Sequence, residues 1–216
     1  MGTVNHKYQE ISIENWNRKS TFDFFKTFDS PFYNITAPVD VTRLKAFCKK
    51  HDYSFFLVSL FISQKVIDQI ENFRYRLYED SVRNYEITQA GSTVLLDDNT
   101  FAFCYFDIES DIHQFVQKGE QAIHQLKSDP DFEPRQGDLN MIFYSVIPWV
   151  SFTSFQHARK NDLSDSIPRV VFGKYYELNN QLKMPISIEV HHALVDGFHV
   201  GQYFELFEKE IQQLEL

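Results

Sequence analysis

Residues 188–201, IEVHHALVDGFHVG, hold three of the chain's eight histidines and one aspartate. His191 and His192 close an apolar run, Asp196-Gly197 follow, and His199 lies three residues beyond Asp196. An imidazole at the end of a strand is either satisfied by hydrogen bonds or reserved for proton transfer. The chain has no G-x-S-x-G elbow, no glycine-rich phosphate loop and no H-E-x-x-H signature. With no nucleophilic Ser or Cys beside it, such a base can deprotonate a substrate hydroxyl directly. The hydroxyl then attacks an activated acyl donor without a covalent enzyme intermediate. That reaction needs an oriented imidazole, a donor for the oxyanion and a dry pocket.

The element that positions the pair is legible as a strand. Leu182, Met184, Ile186, Ile188 and Val190 alternate with Lys183, Pro185, Ser187, Glu189 and His191. Strict alternation predicts a half-buried strand whose even face is the core face. His192 then falls on the core side and His191 on the wetter side. Two histidines on opposite faces cannot readily share a metal, so no metal site is expected. A second polar group stands out in MIFYSVI, where Ser145 interrupts an apolar strand and its hydroxyl must bond to something. Local backbone would satisfy it, and so would a reacting oxygen.

Elsewhere YQEISIE, PFYNITAPVDV, FRYRLYED, STVLL and FAFCYFDI read as strands, and NWNRKSTFDFFKTF as a helix with an aromatic face. TRLKAFCKK is amphipathic, with Leu44, Phe47 and Cys48 on one side. SFFLVSLFISQKVIDQI is a buried helix with Ser54 as its N-cap. A helix from about Asp111 to Lys127 precedes the turn-rich loop SDPDFEPRQGD, and a buried strand, LNMIFYSVIPW, breaks near Pro148. RVVFGKYYEL and LKMPISIEVHH form a hairpin candidate. The last helix begins near Gly197 and buries Val200, Tyr203, Phe204, Phe207, Ile211 and Leu214. Strands and helices without regular βαβ alternation predict an α/β (α+β sandwich) fold, a large mixed and mainly antiparallel sheet covered by helices. No composition shift marks a linker, so residues 1–216 read as one domain.

The composition narrows the function classes. The 216 residues include 22 Phe and 11 Tyr, ample core material. A net charge of −9 disfavours a nucleic-acid partner, which needs a basic face, but leaves room for a small anionic ligand held by a few cations. Cys48 and Cys104 make no disulfide framework and read as buried thiols. No signal core or membrane-spanning run is present, so a cytoplasmic protein is expected.

Together HHALVDG, VHHALVDGFHVG, IPWVSFTSF, FGKYY, NWNRK and FYNITAPVDVTRLK resemble, in order and over nearly the whole chain, the segments of chloramphenicol acetyltransferases. The resemblance implies acetyl transfer from acetyl-CoA to a hydroxyl of chloramphenicol or a similar small alcohol. It implies a large mixed sheet and a homotrimer with active sites at subunit boundaries. By the same resemblance His192 is the general base, Ser145 the oxyanion donor, and Asp196 a structural partner of Arg18. Trp149, Lys174 and Tyr175 match the coenzyme A surface, and Phe25, Tyr33, Phe101, Phe103 and Phe155 the acceptor pocket. As plain sequence, without the resemblance, Trp149 reads rather as core and Arg18 as a solvated helix residue.

Several positions depart from the family pattern. Val171 replaces a threonine, while Ser54 and Phe56 stand where some members have Lys and Tyr at the coenzyme. Phe103 replaces a small residue, His157 and Arg159 replace apolar ones, and Asp29 and Pro31 also differ. An altered pocket leaves open a different small-alcohol acceptor, or a non-catalytic trimeric ligand-binding homologue.

Overall fold

The computed structural model describes residues 7–130, 132, 134–135, 137–160, 162 and 164–216. The chain begins with β1 (Tyr8–Ile11), a 3-10 turn (Ile13–Asn15) and the short helix α1 (Lys19–Phe25). β2 (Phe32–Asp40) leads to α2 (Thr42–His51) and α3 (Phe55–Gln69). A second 3-10 turn (Glu71–Arg74) is followed by β3 (Tyr75–Tyr78), β4 (Ser81–Tyr85), β5 (Gln89–Leu95) and β6 (Phe101–Phe106). Next come α4 (Ile112–Ser128), β7 (Met141–Ile147), β8 (Arg169–Gly173), β9 (Tyr176–Leu178), β10 (Gln181–His191) and α5 (Gly197–Gln212). Positions 131, 133 and 136 of the turn-rich loop lie outside the described residues.

Local chemistry sets the element ends. Ser54 Oγ accepts from Leu57 N (3.4 Å) and opens α3; an Asp111 carboxylate oxygen accepts from Gln114 N (2.9 Å) and opens α4. α2 closes on Asp52 in the left-handed region (φ 58°), a conformation that a short polar side chain tolerates.

The main sheet runs β2-β10-β8-β7-β5-β6, with β9 also paired to β10. β5-β7 and β7-β8 are parallel, and the other pairs are antiparallel. The hairpin expected before His192 is present, since β8 and β9 both pair with β10. A second, three-stranded sheet, β1-β4-β3, was not legible in the sequence. In β4 the buried residues are Val82 and Tyr85, three apart, so the alternation that marks a strand is absent.

One face of the main sheet is apolar and packs on the helices. Val170, Phe172, Ile142, Tyr144, Ala90, Cys104, Met184, Ile186, Ile188 and Val190 join Leu57, Leu60, Val200, Tyr203 and Phe207 in one core. The Tyr144 and Tyr203 hydroxyls both meet Ser63 on α3 (3.1 and 2.7 Å), so the deep polar atoms are satisfied. Cys48 and Cys104 are buried free thiols, each pushed up by burial to about 11.

The opposite face carries Ser145, Val171, Ser187 and Thr36 in one register row. Much of it is also covered. Pro185, Ser187, Glu189 and His191 are all buried, as are the even-numbered residues from Met184 to Val190. His191 is 2% exposed, which corrects the expectation of a wetter face. The alternation along β10 separates an apolar buried face from a polar buried face, because Phe152, His157 and Arg159 pack on the second one. Gly173 marks how closely that cover approaches: a Cβ there would come within 2.5 Å of Pro185 Cγ and 2.8 Å of Phe152 Cε1. Both obstacles are rings that cannot swing aside, so Gly173→Ala should destabilise the fold by about 1–3 kcal/mol, read as a lower chemical-denaturation midpoint.

Candidate active site

β10 ends at His191 and the backbone turns at once. Leu194 N and Val195 N both donate to the His191 carbonyl (3.0 Å each), bringing the chain back into α5. His192 is therefore the first residue of a turn rather than an inward strand position. Its N–H donates to the Pro31 carbonyl (2.8 Å), which ties it to the start of β2. Its ring lies flat on Phe25 of α1, with centroids 3.8 Å and planes 7° apart, and 4.6 Å from Tyr33. The Tyr33 hydroxyl donates to the Val195 carbonyl (3.3 Å), and burial raises its pKa. Nδ1 of His192 is enclosed without a hydrogen-bond partner among the described residues, 3.5 Å from an Asp196 oxygen, while 32% of the side chain stays exposed. Nε2 is thus the nitrogen available for proton transfer.

The turn is pinned from the N-terminal stretch. Both Arg18 terminal nitrogens donate to Asp196, Nη2 at 3.1 Å from Oδ1, and Nη2 also reaches the Ala193 carbonyl (3.3 Å). The Arg18 hydrogen bonds hold the Asp196 carboxyl below its ordinary range. Asp196 N donates to His199 Nδ1 (2.9 Å) at the start of α5, so His199 does the work of a capping-box glutamate. Burial and the Arg18 charge lower the His199 pKa, keeping that nitrogen free to accept. His191 is neutral: burial pushes its pKa down to about 4, and its Nδ1 accepts from Ala193 N (3.2 Å).

Ser145 sits on β7, opposite Val171 of β8, and its hydroxyl makes no hydrogen bond among the described residues. It lies two strands from β10, in the row of Ser187. His192 is five residues farther along. With strands ~4.8 Å apart and a rise of ~3.3 Å per residue, His192 and Ser145 of one chain are separated by roughly 15–20 Å. They cannot act on the same atom.

The remaining candidate residues fall into separate groups. Lys174 and Tyr175 line an apolar cleft of about 320 Å³ with Phe55, Phe56, Val146 and Met184. Trp149 does not line it and is 63% exposed, so it is not a core residue. Phe101 and Phe103 cluster with Phe132, ring centroids 5.3–6.0 Å apart. Phe132 was missed in the sequence because it stands in a loop without periodicity. Phe155 packs between Phe152 (5.7 Å) and His157 (4.9 Å).

The family model for chloramphenicol acetyltransferase matches residues 6–208. The chain belongs to that family. A chloramphenicol acetyltransferase of Proteus mirabilis is 30% identical over 204 residues, covering 94% of this chain and 92% of its own. A solved chloramphenicol acetyltransferase overlays with a TM-score of 0.89 at 28% identity, covering 95% of this chain and all of that one. A dihydrolipoamide acetyltransferase of Azotobacter vinelandii overlays at 0.64 over 90% of this chain and 86% of its own, with 13% identity, a likeness of fold alone. No group of three or more His, Cys, Asp or Glu with metal-site geometry occurs among the described residues. No helix among them is long and apolar enough to cross a membrane.

In this chloramphenicol acetyltransferase family member, the polar residues that replace apolar ones, His157 and Arg159, are held by carboxylates. Arg159 Nε donates to Glu189 (2.6 Å) and Nη1 to Asp165 (2.7 Å), and its guanidinium lies 3.2 Å above the Phe32 ring. Arg169 completes the network on Asp165 (2.9 Å), and His157 N reaches Glu189 (3.4 Å). Glu189, a carboxylate in a buried strand, holds both residues, while the His157 ring still packs against Phe155 (4.9 Å). Burial works to raise its pKa, but His157 and Arg159 outweigh that and hold it at about 2.

Two outcomes follow from this geometry. A depressed carboxyl pKa contributes stability that is present above the unfolded value, near 4.5, and lost as pH falls toward about 2. Glu189→Gln should therefore cost roughly 2–3 kcal/mol at pH 7. In urea titrations the gap to wild type should narrow below pH 4.5. Arg18→Ala and Asp196→Ala should each lower stability and turnover. The double variant should lose less than the sum by about 0.5–3 kcal/mol, and strict additivity would mean the pair is not coupled.

Proposed function

We propose that this chain transfers acetyl from acetyl-CoA to a hydroxyl of chloramphenicol in a direct ternary complex. The observation that carries the reading is His192, held flat on Phe25 with Nδ1 enclosed against the Arg18–Asp196 pair. In the proposed mechanism, Nε2 takes the proton of the acceptor hydroxyl, and the oxygen forms a bond to the thioester carbonyl carbon. The Ser145 hydroxyl donates to the oxyanion. Collapse breaks the carbon–sulfur bond, and the thiolate takes the proton back from His192. The apolar cleft rimmed by Lys174 and Tyr175 suits a narrow acyl-carrying arm with an anionic end. The activity belongs in the cytoplasm, where acetyl-CoA is supplied.

Since His192 and Ser145 of one chain stand roughly 15–20 Å apart, we infer that His192 of one copy works with Ser145 of another. That agrees with the homotrimer implied by the sequence resemblance. Phe103, packed on Phe101 and Phe132, favours a second reading, the same chemistry on a smaller alcohol. Thiol release from acetyl-CoA with chloramphenicol and a panel of alcohols separates the two. Release with no acceptor in the panel would mean that the chain is not an O-acetyltransferase.

His192→Ala should lower turnover about 10²–10⁴-fold with coenzyme A binding retained. Ser145→Ala should lower kcat about 10²–10³-fold with little change in KM. The two inactive variants, unfolded and refolded together, should regain part of the wild-type rate. A mixture as inactive as its components would overturn the shared site.

A further inference from the structure

The cleft lined by Lys174 and Tyr175 has a second cation at its mouth. Lys45, one turn into α2, places its ammonium 5.5 Å from the Tyr175 ring centre and 5.8 Å from that of Phe55. Those rings both line the cleft and lie 5.4 Å apart. No carboxylate pairs with half-buried Lys45 or with exposed Lys174 among the described residues, where most other half-buried cations have an acidic or carbonyl partner. Lys49, one turn farther along α2, is also exposed and without an acidic partner among them. Two unneutralised ammonium groups therefore flank a cleft whose interior, Phe55, Phe56, Val146, Phe172 and Met184, is apolar.

The first turn of α3 opens on the same cleft through Phe55 and Phe56, adding the positive end of a 15-residue helix. The Ser54 hydroxyl at that turn is committed to Leu57 N, so it offers no free donor to a ligand. A cation over the Tyr175–Phe55 rim comes instead from the neighbouring helix, as Lys45. An aromatic rim holding a lysine over its rings suits a ligand end that combines a planar base with phosphate, because the rings take the base and the ammonium takes the anion.

We propose that Lys45 binds a phosphate of the coenzyme A nucleotide, acting with Lys174 across the mouth of the cleft. The inference rests on the acetyl-CoA reading and gives Lys45 of α2 a binding role that the sequence reading did not assign. Lys45 touches no reacting atom, so its contribution belongs to affinity for the acyl donor and not to turnover.

Calorimetric titration of the full-length protein with coenzyme A and with 3′-dephospho-coenzyme A tests this. Lys45→Gln, whose fold is checked by its melting curve, should bind coenzyme A about tenfold more weakly, and Lys45→Arg should recover most of the loss. The salt dependence of binding should be shallower in Lys45→Gln than in wild type. In steady-state assays Lys45→Gln should raise KM for acetyl-CoA, leaving kcat and KM for the acceptor near wild type. An equal loss with the dephospho compound assigns the contact to the pyrophosphate, and a loss confined to coenzyme A assigns it to the 3′-phosphate. Tight coenzyme A binding by wild type with the same affinity in Lys45→Gln overturns the role of Lys45 alone. Absence of coenzyme A binding by wild type overturns the acetyl-CoA reading itself.

Discussion

The pair between Arg18 and Asp196 joins positions 178 residues apart, and the geometry around His192 depends on it. Arg18 stands just ahead of α1, so fixing it also fixes Phe25, whose ring is the bed for the His192 imidazole. Asp196 stands at the start of α5, so fixing it sets the turn that carries His192 out of β10. A half-buried charge pair of this kind adds little net stability over an apolar pair, yet losing one partner leaves a charge without its hydrogen bonds. Its contribution is to convert a five-residue turn into one defined conformation.

The main sheet divides the molecule's work between its faces. The face toward α3 and α5 is apolar and supplies most of the cohesion. The other face holds what an apolar core could not tolerate without partners: the Glu189 network, the Ser187 hydroxyl bonded to Asn34 (2.7 Å), and the Ser145 hydroxyl, which has no hydrogen bond among the described residues. Glu189 and its arginines illustrate the cost of that arrangement, since every charge there needs an opposite one close by. Ser145 and Phe103 share this face, far from the His192 turn, so the residues that the reaction would need stand in two regions of one chain.

Much of the fold was legible because local signals agreed with the tertiary result. The Ser54 cap, the apolar stripe of α5 and the alternation of β10 each act within a few residues. The resemblance named the candidate site, and the structure supplies what surrounds it: Phe25 under His192, and His199 as a cap. What could not be read were relations across the sheet. The burial of His191 depends on a segment that includes Phe152, His157 and Arg159 packing on a face whose sequence is polar. The positions of Arg159 and His157 depend on Glu189, about 30 residues away in sequence. β4 went unseen because a strand with two inward residues three apart carries no period-two signal.

The burial of Cys48 and Cys104 affects how the protein coexists with its reaction product. A free thiolate exchanges readily with disulfides, so an exposed cysteine would attack the oxidised, disulfide form of coenzyme A, forming a mixed disulfide and releasing one coenzyme A thiolate. Both thiols are enclosed by the core and pushed by burial to about 11, so neither offers an accessible thiolate near neutral pH. The folded protein is therefore silent toward thiol-reactive dyes, and its own cysteines become labelled only when the core around α2 and β6 opens.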